Sequence, residues 1–104
     1  MKNQPRQSWQ NIRNYTEKFS WIDPRSGIHT TGFSPPSNAK GLQRIPFFIR
    51  YVTLSGKVEQ GDCVTLSLNL ARHQRMVQFV QSGEIRWVND YLVIEVDGVR
   101  FVVT

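Results

Sequence analysis

The chain has 104 residues, 39% hydrophobic and 20% charged, so we expect residues 1–104 to form a single domain rather than a disordered segment. No apolar run could span a bilayer, and the first residues, Met1–Arg6, have no apolar segment behind their positive charge, which predicts a cytoplasmic protein without membrane contact. The lone Cys63 permits no internal disulfide, in agreement with a reducing compartment.

The net charge of +5 is unevenly distributed along the chain. Residues 1–50 contain eight Lys or Arg side chains and two acidic ones, a net charge of +6. Residues 51–104 contain five basic and six acidic side chains, a net charge of −1. A phosphate-rich partner such as DNA or RNA is therefore expected to contact the N-terminal half first, although solvated surface charges explain the same pattern.

The N-terminal part, residues 1–33, is predicted to form a short helix and a hairpin. Apolar and aromatic side chains recur at spacings of three and four from Trp9 onward, and Ser8 could cap a helix over about residues 8–15. A turn cluster at Asp23–Gly27, followed by β-prone residues, then predicts a hairpin over about residues 17–32.

A proline-rich loop is predicted over residues 34–46, where Pro35, Pro36 and Pro46 disfavour regular structure. We expect this loop to wrap around the domain rather than separate two domains, because the segment on either side of it is too short to fold stably by itself. An alternative is that the segment from Phe33 to Leu42 docks on a protein partner.

Residues 47–104 are predicted to form an antiparallel meander of five or six strands. The stretch from Phe47 to Leu54 is apolar on both faces, as in a central strand. In the next strand, Cys63 to Leu70, the apolar side chains alternate and are expected to point inward; they are Val64, Leu66, Leu68 and Leu70. A four-residue loop at Ala71–Gln74 would then place Leu68 opposite Val77 and Leu66 opposite Phe79.

Two further turns complete the meander. A two-residue loop at Asn89-Asp90 would set Ile85 and Trp87 opposite Ile94 and Leu92. Asp97-Gly98 suits a type I′ turn, which needs positive φ at both central positions. This turn predicts three pairs on the buried face, Val96 with Val99, Ile94 with Phe101 and Leu92 with Val103, and the pair Glu95 with Arg100 on the other face.

The pattern as a whole predicts a mostly β fold with a short N-terminal helix and hairpin. A long sheet with one apolar face must curl or fold on itself to hide that face. The expected outcome is a small antiparallel barrel or a compact sandwich.

No catalytic or metal site is indicated by the chemistry-bearing residues. His29 and His73 lack Cys, Asp or Glu at metal-ligand spacing. Asp62 beside Cys63 would raise the thiol pKa rather than lower it. The glycines of Gly56–Asp62 precede no helix, so this stretch is interpreted as a β-turn rather than a phosphate loop. We therefore expect a non-enzymatic protein that needs no cofactor or metal.

Two binding functions remain open. The first is weak, non-specific nucleic-acid binding, with cationic groups holding phosphates and aromatic platforms stacking bases. The residues proposed for it are Arg72, His73 and Arg75, at the tip of the hairpin that follows Leu70, together with Arg86, Arg50, Tyr51, Lys40 and Arg44. The alternative is a protein-interaction or assembly module, with a homodimer formed by adding strands at a sheet edge.

Three stretches carry a family resemblance: Trp21–Gly27, Tyr51–Leu68 and His73–Val80. They are similar to small uncharacterised proteins of gut Bacteroidetes. The resemblance implies a bacterial, cytoplasmic setting and no particular mechanism.

Overall fold

The computed structural model describes residues 7–102, and more than half of these residues lie in strands. The strands are β1 (Gln7–Ser8), β2 (Phe19–Ile22), β3 (His29–Gly32), β4 (Lys40–Arg44), β5 (Phe47–Val52), β6 (Val58–Asn69), β7 (Gln74–Phe79), β8 (Ile85–Asn89), β9 (Val93–Val96) and β10 (Val99–Val102). The helical elements are α1 (Arg13–Thr16) and the 3-10 helices Trp9–Asn11, Leu70–Arg72 and Asp90–Leu92.

The strands form two sheets. The larger has the order β1-β10-β9-β5-β6-β7-β8 and the smaller the order β3-β2-β4. Neighbouring strands are antiparallel except β1 and β10, which run parallel. The sheets form a compact sandwich and not a closed barrel. The predicted mostly β fold is confirmed, and the sandwich is the observed alternative.

The predicted N-terminal helix begins where expected but consists of two short pieces. The Ser8 Oγ accepts a hydrogen bond from the Gln10 N–H at 3.3 Å, which caps the 3-10 helix Trp9–Asn11. Ile12, between this helix and α1, is buried in the core of the larger sheet. Isolated helices this short are marginally stable in water, so the segment depends on tertiary packing, to which the buried Ile12 contributes.

The hairpin predicted over residues 17–32 is confirmed by β2 and β3, which are antiparallel and place Trp21 opposite Thr30. A Cβ at Gly32 would lie 3.1 Å from the Trp21 ring. The glycine therefore lets the buried indole pack closely against the neighbouring strand.

The expectation that residues 34–46 lack regular structure is wrong for part of the segment. β4 lies within it and pairs with β2, so that Arg44 is opposite Phe19. The three prolines of the segment lie outside β4, and every residue of this strand therefore keeps its backbone N–H for pairing.

The inward face predicted for β6 is inverted around its centre. Cys63 and Thr65 are fully buried, whereas Leu66 and Leu70 are exposed. The loop to β7 begins one residue earlier than predicted, and the register shifts between Thr65 and Ser67. Such a one-residue slip moves side chains to the opposite face.

The cross-strand pairs of β6 and β7 differ accordingly. The observed pairs are Cys63 with Phe79, Thr65 with Val77 and Leu68 with Arg75, in place of Leu66 with Phe79 and Leu68 with Val77. Thr65 is accommodated in the core because its hydroxyl donates to the Thr16 carbonyl at 2.8 Å.

The predicted pairing of β8 with β9 is wrong, because Ile85 and Trp87 do not lie opposite Ile94 and Leu92. The 3-10 helix Asp90–Leu92 replaces the expected two-residue turn. It carries the chain from β8, at the edge of the larger sheet, to β9, which pairs with β5.

The terminal turn is confirmed. Asp97 and Gly98 have φ values of 50° and 82°, as a type I′ turn requires. Val96 lies opposite Val99, and Glu95 lies opposite Arg100. The buried position of Phe101 agrees with this register and is reinforced by an edge-to-face contact with Tyr15 at 5.3 Å between ring centroids.

The inward residue of β9 besides Val96 is Val93 rather than Ile94. A register shift between Arg50 and Tyr51 of β5 sets Val93 opposite Tyr51, so Val93 is buried and Ile94 only half-buried. Leu92 belongs to a 3-10 helix, and its predicted partner Val103 lies outside the described residues.

The core lies against the larger sheet. Its buried members are Ile12, Phe47, Ile49, Tyr51, Cys63, Val77, Val88, Val93, Val96 and Phe101. Among residues 7–102, no helix is long and apolar enough to cross a membrane.

Candidate functional site

Arg75 lies inside the protein, with 2% exposure, rather than at the exposed hairpin tip where the sequence analysis places it. Its Nε and Nη2 donate to the two carboxylate oxygens of Asp90 at 2.7 and 3.2 Å. Nη2 also donates to Glu17 at 3.2 Å, and Nη1 donates to the Thr16 hydroxyl. These partners make a buried guanidinium tolerable, because a buried charge must be paired and hydrogen-bonded.

The partners of Arg75 come from distant parts of the chain. Thr16 ends α1 and Glu17 follows it, whereas Asp90 begins the 3-10 helix that precedes β9. The Asp90 N–H also donates to the His73 carbonyl at 2.8 Å. The network of Arg75, Thr16, Glu17 and Asp90, named here the Arg75 network, therefore joins the N-terminal helix and the start of β9 to one side chain of β7.

Three rings, those of Trp9, His73 and Tyr91, form an aromatic cluster beside this network. The ring centroids are separated by 4.8 Å for Trp9 and His73, 4.4 Å for Trp9 and Tyr91, and 5.1 Å for His73 and Tyr91. His73 adopts the left-handed conformation, with φ of 53°, at the end of the 3-10 helix Leu70–Arg72.

The indole N–H of Trp9 is buried and has no hydrogen-bond acceptor within the described part of the chain. Indole is a donor only, so no rearrangement of its own proton can satisfy it. A buried donor without a partner is costly, and an acceptor supplied by a ligand would remove that cost.

A cavity of about 390 Å³ is lined by residues of both the aromatic cluster and the Arg75 network. Arg13 also lines it and lies 3.5 Å from Glu17, measured between Nε and Oε1. Two guanidinium groups, of Arg13 and Arg75, and two carboxylates, of Glu17 and Asp90, therefore balance in charge around the cavity.

β8 forms an open edge of the larger sheet. At one end of the pairing between β8 and β7, the Phe79 N–H donates to the Glu84 carbonyl. At the other end, the Asp90 N–H donates to the His73 carbonyl. Hydrogen bonding to one neighbour alternates along an antiparallel strand, so the main-chain groups of Ile85 and Trp87 point away from β7. No described strand lies on that side.

Another cavity, of about 620 Å³, is mainly acidic. Glu59, Asp62 and Glu84 line it, and the one lining guanidinium, of Arg86, is paired with Glu84. The Tyr51 hydroxyl donates to Glu59 at 2.6 Å, and burial together with this bond raises the pKa of Tyr51. An excess of carboxylates makes this cavity unsuited to a phosphate.

Three of the eight residues predicted to bind nucleic acid are either buried or paired with other groups of the protein. Arg75 and Tyr51 are buried, and Arg86 pairs with Glu84 and donates to the Ile85 carbonyl at 3.0 Å.

The other five are spread over different elements. Arg44 lies over the Phe19 ring at 4.0 Å and donates to the Glu17 carbonyl at 3.4 Å, and burial lowers its pKa. Arg50 is exposed on β5, and Lys40 is exposed on β4 of the smaller sheet. Arg72 is exposed next to His73 of the aromatic cluster. The structure thus places His73 and Arg75 at one cavity, and Glu17 links Arg44 to Arg75.

Sequence reasoning missed Trp9, Glu17, Asp90 and Trp87 as site residues. One usable signal was the alternation of β7, which puts Arg75 on the same face as Val77 and so predicts a buried charge that needs a carboxylate. Nothing local identifies Asp90 as that carboxylate.

Comparisons with protein-family models, with curated proteins and with solved structures gave no match. In the part of the chain that is described, no three His, Cys, Asp or Glu side chains are grouped so that they could hold a metal ion. Burial, and then Asp62, raise the pKa of Cys63 to about 12, so this residue is a neutral thiol at physiological pH.

Proposed function

We propose that this protein is a non-enzymatic assembly module in which two copies of the chain pair through β8. The observation that carries the proposal is the open edge of this strand, where the main-chain groups of Ile85 and Trp87 have no partner strand among residues 7–102. This is the assembly alternative of the sequence analysis, assigned to one strand.

The side chains of the same residues support the proposal. Ile85 is 48% exposed and Trp87 is 53% exposed. Soluble proteins protect open edges with proline, lysine or a β-bulge, and β8 has none of these. Its one charged side chain, Arg86, is held by Glu84. Pairing would cover two large apolar side chains and satisfy the outward main-chain groups together.

A second copy suits this edge because the strand is self-complementary when paired antiparallel. A register centred on Trp87 sets Ile85 opposite the partner's Asn89 and Arg86 opposite the partner's Val88. The alternative centred on Arg86 would place two arginines directly opposite each other, and like charges in that position are destabilising. The register centred on Trp87 is therefore the one we propose.

The oligomeric state tests the proposal. At about 100 µM protein, a dissociation constant of about 10 µM would make most chains dimeric in sedimentation velocity. The double variant Ile85→Lys, Trp87→Lys should be monomeric with an unchanged circular dichroism spectrum. Leu54→Lys is the matched control, because Leu54 is 89% exposed in the turn after β5 and should leave the dimer intact.

A monomeric native chain at this concentration would overturn the proposal, and so would dimerisation that the double variant does not affect. The register has its own test. Mixing Arg86→Glu with the native chain should not strengthen the dimer, whereas the register centred on Arg86 would predict a tighter mixed pair.

A further inference from the structure

We infer that the cavity lined by Trp9, Arg13 and His73 binds a nucleobase that carries a phosphate. The base comes from a free mononucleotide or from a single strand of DNA or RNA. This site is distinct from the β8 edge and goes beyond the assembly function. It gives the nucleic-acid hypothesis of the sequence analysis a defined location.

The aromatic cluster is the surface against which a base would pack. Trp9 and His73 line the cavity with their ring centroids 4.8 Å apart, and Tyr91 packs against both rings without lining the cavity itself. Every base has a flat π-face, so stacking on such rings needs no particular sequence.

The buried N–H of Trp9 supplies the polar contact. It has no acceptor among the described residues. The carbonyl oxygens and ring nitrogens of nucleobases are hydrogen-bond acceptors, so a base could satisfy this donor once the indole turns to present its buried N–H to the cavity.

The interior of the cavity and its rim differ in net charge. Inside, the guanidinium of Arg75 is held by Asp90 and Glu17, which leaves a nearly neutral lining suited to an uncharged base. Toward solvent, the side chain of Arg13 is 63% exposed although its Nε pairs with Glu17 at 3.5 Å, and Arg72 is exposed next to His73 without lining the cavity itself. These two cations can hold a phosphate, and the cavity volume of about 390 Å³ is in the range of small-molecule sites.

The indole proton of Trp9 reports directly on the proposed contact. In a ¹H–¹⁵N spectrum of the native chain, the Trp9 indole signal is identified by its loss in Trp9→Phe. Uridine 5′-monophosphate and adenosine 5′-monophosphate should shift this signal, and ribose 5-phosphate should not. A short oligouridylate separates the two sources of the base. A shift by the mononucleotides indicates a free nucleotide, and a shift by the oligonucleotide alone indicates single-stranded nucleic acid.

Variants separate the base contact from the phosphate contact. Trp9→Phe keeps a ring but loses the N–H, and should weaken binding about tenfold, the effect of one lost hydrogen bond. Tyr91→Leu should also weaken binding, because it removes the ring that packs against Trp9 and His73 and holds them in position. Arg72→Ala should weaken oligonucleotide binding and flatten its salt dependence.

The controls lie elsewhere on the surface. Trp87→Phe on β8 and Lys57→Ala in the turn before β6 should leave binding unchanged. The inference is overturned if no probe shifts the Trp9 signal, if ribose 5-phosphate shifts it as much as the nucleotides do, or if Trp9→Phe binds as tightly as the native chain. Because the monomeric variant Ile85→Lys, Trp87→Lys should still bind, failure of the dimer and failure of this site are distinguishable.

Discussion

Arg75 is the residue on which the association of the N-terminal helix with the larger sheet depends most directly. It is buried, and its charge is compensated by Asp90 and Glu17. Loss of one member of a buried ion pair leaves the other charge unpaired in a medium of low polarity. Removal of both members avoids that cost, so the two single losses should not add.

Arg75→Met should lower the free energy of unfolding by about 3–5 kcal/mol, since it leaves Asp90 buried without its main partner. The double variant Arg75→Met, Asp90→Asn should lose clearly less than the sum of the two single variants. Urea unfolding of the four proteins measures the coupling.

Arg72→Met is the control for this cycle. Arg72 is exposed three residues before Arg75, and its substitution should change stability by less than about 0.5 kcal/mol. Similar losses for Arg72 and Arg75 would contradict the buried position of Arg75.

The terminal hairpin is the element whose register is most directly specified by its turn. Asp97 and Gly98 both have positive φ, and the carboxylate of Asp97 also accepts from the Phe48 N–H at 2.8 Å. The turn thereby links the hairpin to β5, next to which β9 lies. With this register, Phe101 is buried and Arg100 is exposed.

Phe101→Ala should cost about 3–5 kcal/mol of stability through lost burial and a remaining cavity. Arg100→Ala should cost less than about 1 kcal/mol, because the Arg100 side chain is exposed and a charge opposite it, on Glu95, contributes little to stability near the surface. Thermal or urea unfolding compares the two variants. Equal costs would mean that the hairpin register is shifted by one residue.

At the scale of the whole molecule, the buried Cys63 thiol and the Tyr51 hydroxyl should make the free energy of unfolding vary with pH in the alkaline range. Burial raises the pKa of the Cys63 thiol from 9.0 to about 12 and also raises the pKa of Tyr51. Below about pH 9 the thiol is protonated in both folded and unfolded chains, and it has no effect on the pH dependence. Between about pH 9 and 12 the unfolded chain releases the proton and the folded chain keeps it.

The free energy of unfolding should therefore fall as the pH rises from about 9 toward 12. Urea unfolding at several pH values measures the fall, and Cys63→Ala should reduce its slope because the thiol no longer titrates. A slope identical in the native chain and Cys63→Ala would show that Cys63 is as ionisable in the fold as in the unfolded chain. A thiol reagent offers a second check, since native Cys63 should react only on unfolding.

The candidate site was only partly predictable. The exposed Arg72 and the neighbouring His73 were identified from their place at a hairpin tip, and of these two His73 lines the proposed cavity. Arg75 was assigned to the same tip because it directly follows the predicted loop Ala71–Gln74, whereas β7 already begins at Gln74 and Arg75 is an inward residue of that strand. Trp9 was assigned to a helix face, since no local pattern distinguishes an indole in a core from one that lines a cavity.

The sequence by itself determined the features that neighbouring residues control. These are the mostly β composition, the hairpin of β2 and β3, the central position of β5 and the turn at Asp97-Gly98, because turn dihedrals and strand alternation depend on adjacent residues. Only the tertiary structure decided the inward face of β6, the free edge of β8 and the burial of Arg75. The contacts responsible join residues far apart in the chain, since Thr65 is 49 residues from Thr16 and Arg75 is 15 residues from Asp90, and a local pattern carries no information about such partners.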